Sequence, residues 1–173
     1  MPESTPLTKV NGVKDYGAEV ILAGSNYDEA YAYAKEYGEK NSLTFIHPFE
    51  DTEVMAGQGT TALEILSKCE DLDAVVIPVG GGGLISGMAC AFKAINPNIE
   101  VIGVSAKGAP ALKNSYELGY AIDTKSVRTI ADGIAVRDTS KITLGYMLKS
   151  VDRFVSVDDE EIASAILSLL EKQ

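Results

Sequence analysis

The sequence has few basic residues for its length. Its 173 residues include 15 lysines and arginines against 25 aspartates and glutamates, which gives a formal net charge of −10. An acidic chain repels nucleic-acid phosphates and anionic membrane surfaces, so neither is expected as a partner. A small phosphorylated ligand is not excluded, because backbone amides bind phosphate without any basic side chain.

Cysteine, histidine and long apolar runs are also scarce. Cys69 and Cys90 are too few for a disulfide framework, so we interpret both as buried free thiols. His47 is the only histidine, and because it precedes a proline we interpret it as a turn or packing residue rather than a general base. No run approaches the ~20 apolar residues of a membrane span, and the polar segment after Met1 is not a signal peptide. A cytoplasmic protein is therefore expected.

Short apolar segments alternate with helical patterns along the chain. Strands are predicted over residues 18–23, 43–46, 73–79, 100–105 and 153–157. Helices are predicted over residues 27–40, 54–69, 84–95, 109–118 and 158–173, and residues 119–134 are predicted as loop. This alternation predicts an α/β fold with a parallel sheet flanked by helices. The run 73–79 is apolar enough for a strand buried on both faces.

Four consecutive glycines, Gly80 to Gly83, stand between the apolar strand and the next helix. Phosphate needs several amide donors and a backbone free of Cβ atoms, and glycines that enter a helix N-terminus supply both. Gly83 is followed by Leu84, not by the lysine of a Walker A loop, and the glycine spacing differs from the dinucleotide fingerprint. The segment predicts a phosphate loop of another class; a flexible turn that merely tolerates glycine is the alternative.

Residues 78–87 resemble the phosphate loop of fold-type II pyridoxal-phosphate enzymes, specifically the threonine dehydratase and serine racemase family. Four further stretches, in the order expected for that family, support the resemblance. They are MPESTPLTKV at 1–10, YGAEV at 16–20, HPFED with AGQGT within 47–60, and TIADGIAV at 129–136. Five motifs in order are far more specific than the glycine loop alone.

The resemblance implies a fold of the tryptophan synthase β type with pyridoxal 5′-phosphate as cofactor. Residues 1–50 would be the end of the smaller lobe, and residues 51–173 an incomplete larger lobe that binds the cofactor. The implied activity is β-elimination of L-threonine to 2-oxobutanoate and ammonia, in isoleucine biosynthesis or threonine catabolism, by a homo-oligomer. The residues implied to hold the cofactor are Gly80, Gly81, Gly82, Gly83, Leu84 and Gly133.

The lysine that carries the cofactor in the family is missing from this chain. The family places it in a Ser-Phe-Lys-x-Arg-Gly motif before the glycine loop, whereas the chain's Phe92-Lys93 pair lies after the loop, where we interpret Lys93 as solvent-facing. No catalytic residue is therefore assigned. The chain resembles the middle half of a catalytic domain, and we expect it to be inactive alone and to self-associate.

Two departures from the family pattern affect the expected site. Serine racemase relatives bind a divalent metal where this chain has Ser105 and Ala111, so no metal is expected there. Residues 137–140 replace the usual Arg/Lys-Pro-Gly, so the resemblance does not define the geometry of this loop. Two alternatives remain open. One is a serine dehydratase or racemase of the same family, and the other is a non-catalytic module that binds a phosphorylated ligand or a partner chain.

Overall fold

The computed structural model describes residues 1–69 and 71–172, which fall into two compact units, Met1–Ile46 and His47–Gln173. The first unit contains helices α1 (Leu7–Asp15) and α2 (Tyr27–Lys40). The second contains α3 (Thr52–Lys68), β1 (Ala74–Pro78), α4 (Gly83–Ile95), β2 (Glu100–Ala106), α5 (Ala111–Leu118), a 3-10 turn (Asp132–Ile134), α6 (Lys141–Ser150), β3 (Arg153–Val157) and α7 (Asp159–Lys172). Which lobe of the family each unit forms stays a prediction.

Helix α2 has the bounds that the sequence predicts, because Asn26 caps its N-terminus and Glu29 binds the chain just before the cap. The Asn26 side chain accepts a hydrogen bond from the Glu29 amide at 3.0 Å, and the Glu29 carboxylate accepts one from the Ser25 amide at 2.7 Å. The Ser25 amide also holds the pKa of the Glu29 carboxyl below its usual value. The bond to Asn26 satisfies a backbone donor that the helix itself leaves open.

The strands predicted over 18–23 and 43–46 are wrong, since the structure assigns neither as a strand. Residues 21–24 pair with residues 1–3, through bonds such as Ala23 N to Met1 O at 2.9 Å and Glu3 N to Gly24 O at 2.8 Å, and the structure describes no strand beside them. In the second segment Leu43 and Ile46 are exposed by 57% and 62%. β-propensity yields a strand only where a neighbouring strand pairs with the segment along its length.

The second unit is built on a parallel sheet in the order β1-β2-β3. Its register places Val76 beside Ile102 and Ile102 beside Arg153. These strands confirm the predictions for 73–79, 100–105 and 153–157. β1 is not buried on both faces as predicted, because only alternate residues are covered and Val76 is 67% exposed. Among the described residues, α4 covers the face of β1 opposite Val76.

The core lies between the sheet and helices α3, α4 and α6. Its largest fully buried apolar side chains are Phe92, Ile77, Ile85, Ile99 and Met147. Neither cysteine belongs to this fully buried set: Cys69 is exposed and Cys90 is half-buried, which corrects the prediction of buried thiols. Both are free thiols.

The structure contains two helices, α1 and α6, that the sequence patterns do not predict. The Ser140 side chain caps α6 by accepting hydrogen bonds from the amides of Ile142 at 3.1 Å and Thr143 at 3.3 Å. The closing helix is confirmed as α7, while Gln173, the last residue of the predicted range, lies outside the described residues. The start of α7 is stabilised by reciprocal bonds between Asp158 and Glu161 at 2.8 and 2.9 Å. No helix within residues 1–69 and 71–172 combines the length and apolarity of a membrane span.

Helices α3 and α4 cross at two glycines, Gly59 and Gly87. A Cβ added at Gly87 would collide with the carbonyl oxygen of Met55 and would lie 2.8 Å from the Gly59 amide nitrogen. Both obstacles are backbone atoms, which cannot rotate away. The helices therefore pack this closely only because neither side of the crossing carries a side chain.

We predict that Gly87→Ala destabilises the protein by about 3 kcal/mol, because the helices must separate to admit the methyl group. The matched control is Gly57→Ala in α3, where a Cβ meets nothing within 4 Å. That substitution should stabilise the protein by up to about 1 kcal/mol through helix propensity. Urea unfolding measures both free energies, and equal effects of the two substitutions would contradict the close crossing.

Candidate phosphate-binding site

The four glycines form the connection from the sheet into α4. β1 ends at Pro78, Val79 is buried, and the turn closes with Gly82 at a φ of +88°, in the left-handed region that favours glycine. The first bond of the helix runs from the Ser86 amide to the Gly82 carbonyl at 3.0 Å. The turn therefore aims the start of a buried helix at the carboxyl end of the sheet.

The amides at this helix start carry free hydrogen-bonding capacity. Within the part of the chain that the structure describes, no protein group accepts a hydrogen bond from the amides of Gly81, Gly82, Gly83 or Leu84. The positive end of the helix dipole adds to the partial charges of these N–H groups. Together they form what an anion such as phosphate requires.

Glycine is required at each position of this turn. An added Cβ at Gly80 would lie 2.8 Å from the Ile134 Cα atom, and one at Gly83 would lie 2.9 Å from the Phe49 Cβ atom. A Cβ at Gly81 would overlap the Phe49 ring. The surrounding chain thus occupies the space beside the turn, which argues against the alternative of a flexible turn that merely tolerates glycine.

The turn before α3 holds Phe49 in this position. The His47 Nδ1 atom accepts hydrogen bonds from the Glu50 amide at 2.8 Å and the Phe49 amide at 3.3 Å. The rings of His47 and Phe49 pack edge to face at 4.7 Å. Burial lowers the pKa of the His47 imidazole, although the nearby carboxylates of Glu50 and Asp51 act in the opposite direction. His47 therefore serves the turn, as the sequence predicts, in its neutral form.

The first turn of α6 lies on another side of the glycine loop. The Thr143 hydroxyl donates to the Gly81 carbonyl at 2.9 Å, and the Ser86 hydroxyl donates to the Thr143 carbonyl at 3.2 Å. The Ser140 hydroxyl donates to the Glu50 carboxylate at 3.0 Å. Residues 137–140, which depart from the family pattern, lead directly into this capped helix.

The stretch around Gly133 meets the loop at its first glycine. Ile134 contacts Gly80, while Gly133 itself is exposed and has nothing within 4 Å of an added Cβ. The stretch is anchored by Asp159, whose carboxylate accepts hydrogen bonds from the Thr129 hydroxyl at 2.6 Å and the Ile130 amide at 3.2 Å. Gly133 is thus the chain neighbour of Ile134, the residue that contacts the glycine loop.

Lys93 lies away from the loop, in the last turn of α4. Its ammonium group donates to the Ile99 carbonyl at 2.8 Å and pairs with Asp152 at 2.6 Å. Lys93 is half-buried, so the prediction that it faces solvent is wrong. Burial alone raises the pKa of the Asp152 carboxyl, but hydrogen bonds from Lys93 and the Val101 amide outweigh burial and leave that pKa lowered.

Ser105 and Ala111 are the two positions considered for a metal ion. The Ser105 hydroxyl shares a hydrogen bond with Ser156 at 3.2 Å, and Ala111 is buried at the start of α5. The described residues contain no group of three histidine, cysteine or carboxylate side chains arranged for a metal ion. The expectation that no metal binds there stays a prediction.

Phe49, Ser140 and Thr143 are parts of the site that the sequence motifs do not predict. A signal for the last two was present, because a serine cap is followed by Thr143, Leu144 and Met147 at the spacing of a buried helix face. Phe49 stands within a stretch that carries the family resemblance, but no periodicity shows which neighbour its ring contacts. The contacts of Phe49 and Thr143 with the glycine loop are shown only by the three-dimensional structure.

The whole chain, residues 1–173, matches the family described as pyridoxal-phosphate dependent enzyme. It is 46% identical over 172 residues to the L-threonine ammonia-lyase of Geobacter sulfurreducens, which covers 99% of this chain and 43% of that protein. It is 41% identical over 172 residues to the catabolic L-threonine dehydratase TdcB of Staphylococcus aureus, covering 99% of this chain and 50% of that protein. The chain thus spans about half the length of the curated relatives it matches.

Solved structures give the same picture of the fold. The processed form of threonine deaminase isoform 2 from Solanum lycopersicum matches with a TM-score of 0.93 at 40% identity, over 99% of this chain and 47% of that one. Maize serine racemase matches with a TM-score of 0.89 at 35% identity, over 95% of this chain and 50% of that one. The predicted α/β fold class is confirmed.

The residues of the glycine loop fit a cofactor phosphate. Phosphate oxygens accept several hydrogen bonds, and the amides from Gly81 to Leu84 have no acceptor among the described residues. Gly80 and Gly81 are half-buried rather than fully covered, so the turn is reachable from outside. A cradle without Cβ atoms at the start of a buried helix matches the chemistry of that group.

We predict that the turn holding Phe49 weakens in mild acid. Because the folded state lowers the pKa of His47, the stability it contributes is present above the unfolded value of about 6.5 and is lost as the pH falls below it. The control is His47→Asn, which keeps an acceptor for the two amides but does not titrate. Urea unfolding from about pH 8 to about pH 5 should show a steeper loss for the unmodified protein. Identical slopes would contradict the assignment.

Proposed function

Because this chain belongs to the family of pyridoxal-phosphate-dependent enzymes, we propose that it is the phosphate-binding part of a threonine ammonia-lyase. The observation that supports this most directly is the glycine turn whose amides, from Gly81 to Leu84, have no acceptor among the described residues. The names and identities of the curated relatives support threonine as the substrate of the complete enzyme.

In this proposal each part of the loop has a defined task. Gly80 to Gly83 keep the backbone free of Cβ atoms, and the amides that end with Leu84 bind the cofactor phosphate. The turn at Gly133, held by the bonds from Thr129 and Ile130 to Asp159, would line the site of the cofactor ring. Pyridoxal phosphate, when bound, supplies an electron-withdrawing ring that stabilises negative charge at the substrate Cα.

The lysine that abstracts the substrate proton is proposed to lie outside residues 1–173. Lys93 does not serve this purpose, because its ammonium group is held by Asp152 and the Ile99 carbonyl at the far end of α4. The proposed reaction, from L-threonine to 2-oxobutanoate and ammonia, therefore needs a second part of the polypeptide. The present chain contributes cofactor binding and orientation.

The complete enzyme is proposed to be a cytoplasmic homo-oligomer. Support comes from apolar side chains that the second unit leaves exposed, among them Leu167, Leu169 and Leu170 of α7 at 61%, 63% and 70%. Exposed apolar faces of this kind mark surfaces that other protein elements cover.

A second candidate is a serine dehydratase or racemase of the same family, which the similarity to maize serine racemase favours. The glycine loop serves either substrate, because it contacts the cofactor rather than the amino acid in both proposals. A non-catalytic module for a phosphorylated ligand is the third possibility, and it too would use the loop. Turnover assays separate these possibilities.

We predict that the chain binds pyridoxal phosphate more tightly than pyridoxal, and that Gly82→Ala weakens pyridoxal phosphate binding at least tenfold. The methyl group would meet Leu112 at 2.8 Å and Thr143 at 2.9 Å, and the positive φ adds strain. The matched control is Gly119→Ala, which has a φ of +78° but nothing within 4 Å of its Cβ. Equilibrium dialysis measures the affinities, and equal effects of both substitutions would contradict a role in the loop.

We also predict that the 173-residue chain alone forms no 2-oxobutanoate from L-threonine. A polypeptide extended to the length of the relatives should form it, with L-serine as the competing substrate. A coupled assay of 2-oxobutanoate or pyruvate measures the product. Turnover by the chain alone that a substitution within it abolishes would overturn the proposal, and an extended polypeptide that binds the cofactor without turnover would favour the non-catalytic module.

A further inference from the structure

We propose that Thr143 is a positioning residue that holds the glycine loop in its phosphate-binding conformation. The inference rests on the proposed function, because it concerns the same loop. Thr143 lies 62 residues from the loop in the chain, in the first turn of α6, and outside the stretches that carry the family resemblance.

The contact is a single buried hydrogen bond to the loop. Thr143 is fully buried, and its hydroxyl lies 2.9 Å from the Gly81 carbonyl oxygen and 3.4 Å from the Ser140 carbonyl oxygen. A hydroxyl has one proton to donate, and the shorter distance assigns that proton to Gly81. Among the described residues no backbone amide donates to the Gly81 carbonyl, so Thr143 supplies its hydrogen bond.

The bond also determines the direction of a loop amide. The Gly81 carbonyl and the Gly82 N–H belong to one planar trans peptide group, in which they point in opposite directions. A donor that fixes the carbonyl therefore fixes the N–H. Thr143 lies on the carbonyl side of this peptide and thereby turns the Gly82 amide away from α6, where it is free to bind phosphate.

The Thr143 side chain also fills the space beside Gly82. An added Cβ at Gly82 would lie 2.9 Å from the Thr143 Cβ atom and 3.0 Å from its hydroxyl oxygen. The peptide group therefore has little room to rotate towards α6. Hydrogen bonding and packing thus act on the same peptide.

Thr143 is itself held in place from two sides. Its amide donates to the Ser140 hydroxyl at 3.3 Å, and its carbonyl accepts from the Ser86 hydroxyl at 3.2 Å. Ser86 belongs to α4, the helix that the loop begins. The loop, α4 and the first turn of α6 therefore form a closed network.

The test compares Thr143→Val, which keeps the shape and removes the hydroxyl, with Thr143→Ser, which keeps the hydroxyl. The control is Thr139→Val, because the Thr139 hydroxyl donates to the Ile122 carbonyl at 2.8 Å without contacting the loop. One readout is the amide nitrogen resonance of Gly82, which responds to a hydrogen bond on the carbonyl of its own peptide group and needs no ligand. The other is the affinity of the 173-residue chain for pyridoxal phosphate and for pyridoxal.

We expect Thr143→Val to shift the Gly82 resonance and to weaken pyridoxal phosphate binding about tenfold, with less than about a twofold effect on pyridoxal. Thr143→Ser should restore both values, and Thr139→Val should change neither. An unmoved Gly82 resonance, or equal losses of affinity in Thr143→Val and Thr139→Val, would overturn the inference. If the unmodified chain binds the two ligands equally, the proposed function fails, and the resonance still decides whether Thr143 positions the loop.

Discussion

The packing of the second unit leaves no room for side chains on one turn, the connection between β1 and α4. Between β1 and α4 the backbone passes so close to Phe49, Ile134 and Thr143 that any side chain on the turn would displace them. This constraint explains a run of glycines that is unfavourable for chain entropy. It also leaves the amides at the start of α4 as the polar groups available to a ligand.

The elements that surround the turn are held by interactions of their own. A capped helix presents Thr143, a histidine turn presents Phe49, and the Asp159 carboxylate restrains the stretch that ends at Ile134. None of these interactions is strong alone, since a single hydrogen bond contributes about 1 kcal/mol. Acting together, they define the position of the turn within the second unit.

The sequence predicts the elements that depend on local patterns. The strands of the second unit and the helices α2, α3, α4 and α7 follow from periodicity and capping residues, and the glycine loop follows from its composition. The strand predictions for 18–23 and 43–46 are wrong because strand formation depends on a partner, which no local pattern reveals. The prediction that the run 73–79 is buried on both faces is wrong at Val76 for a related reason: an apolar residue is buried only if another element covers it.

Some residues of the candidate site can likewise be found from the local sequence, and others depend on contacts between distant segments. Its glycines could be found in the sequence, but the contacts of Phe49 and Thr143 could not, because they join residues far apart in the chain. Lys93 illustrates the limit for charged residues, since its ion pair is with Asp152, which lies between α6 and β3 and is 59 residues away in the chain. Helix periodicity places a residue on a face but does not name the partner across it.

The separation of 62 residues between Gly81 and Thr143 has a consequence for folding. A contact between distant segments requires the intervening chain to close into a loop, and here that chain includes β2, α5 and the 3-10 turn. The glycine turn cannot acquire its geometry from its own residues, as a β-hairpin turn does. Its conformation therefore depends on the packing of α6 against α4.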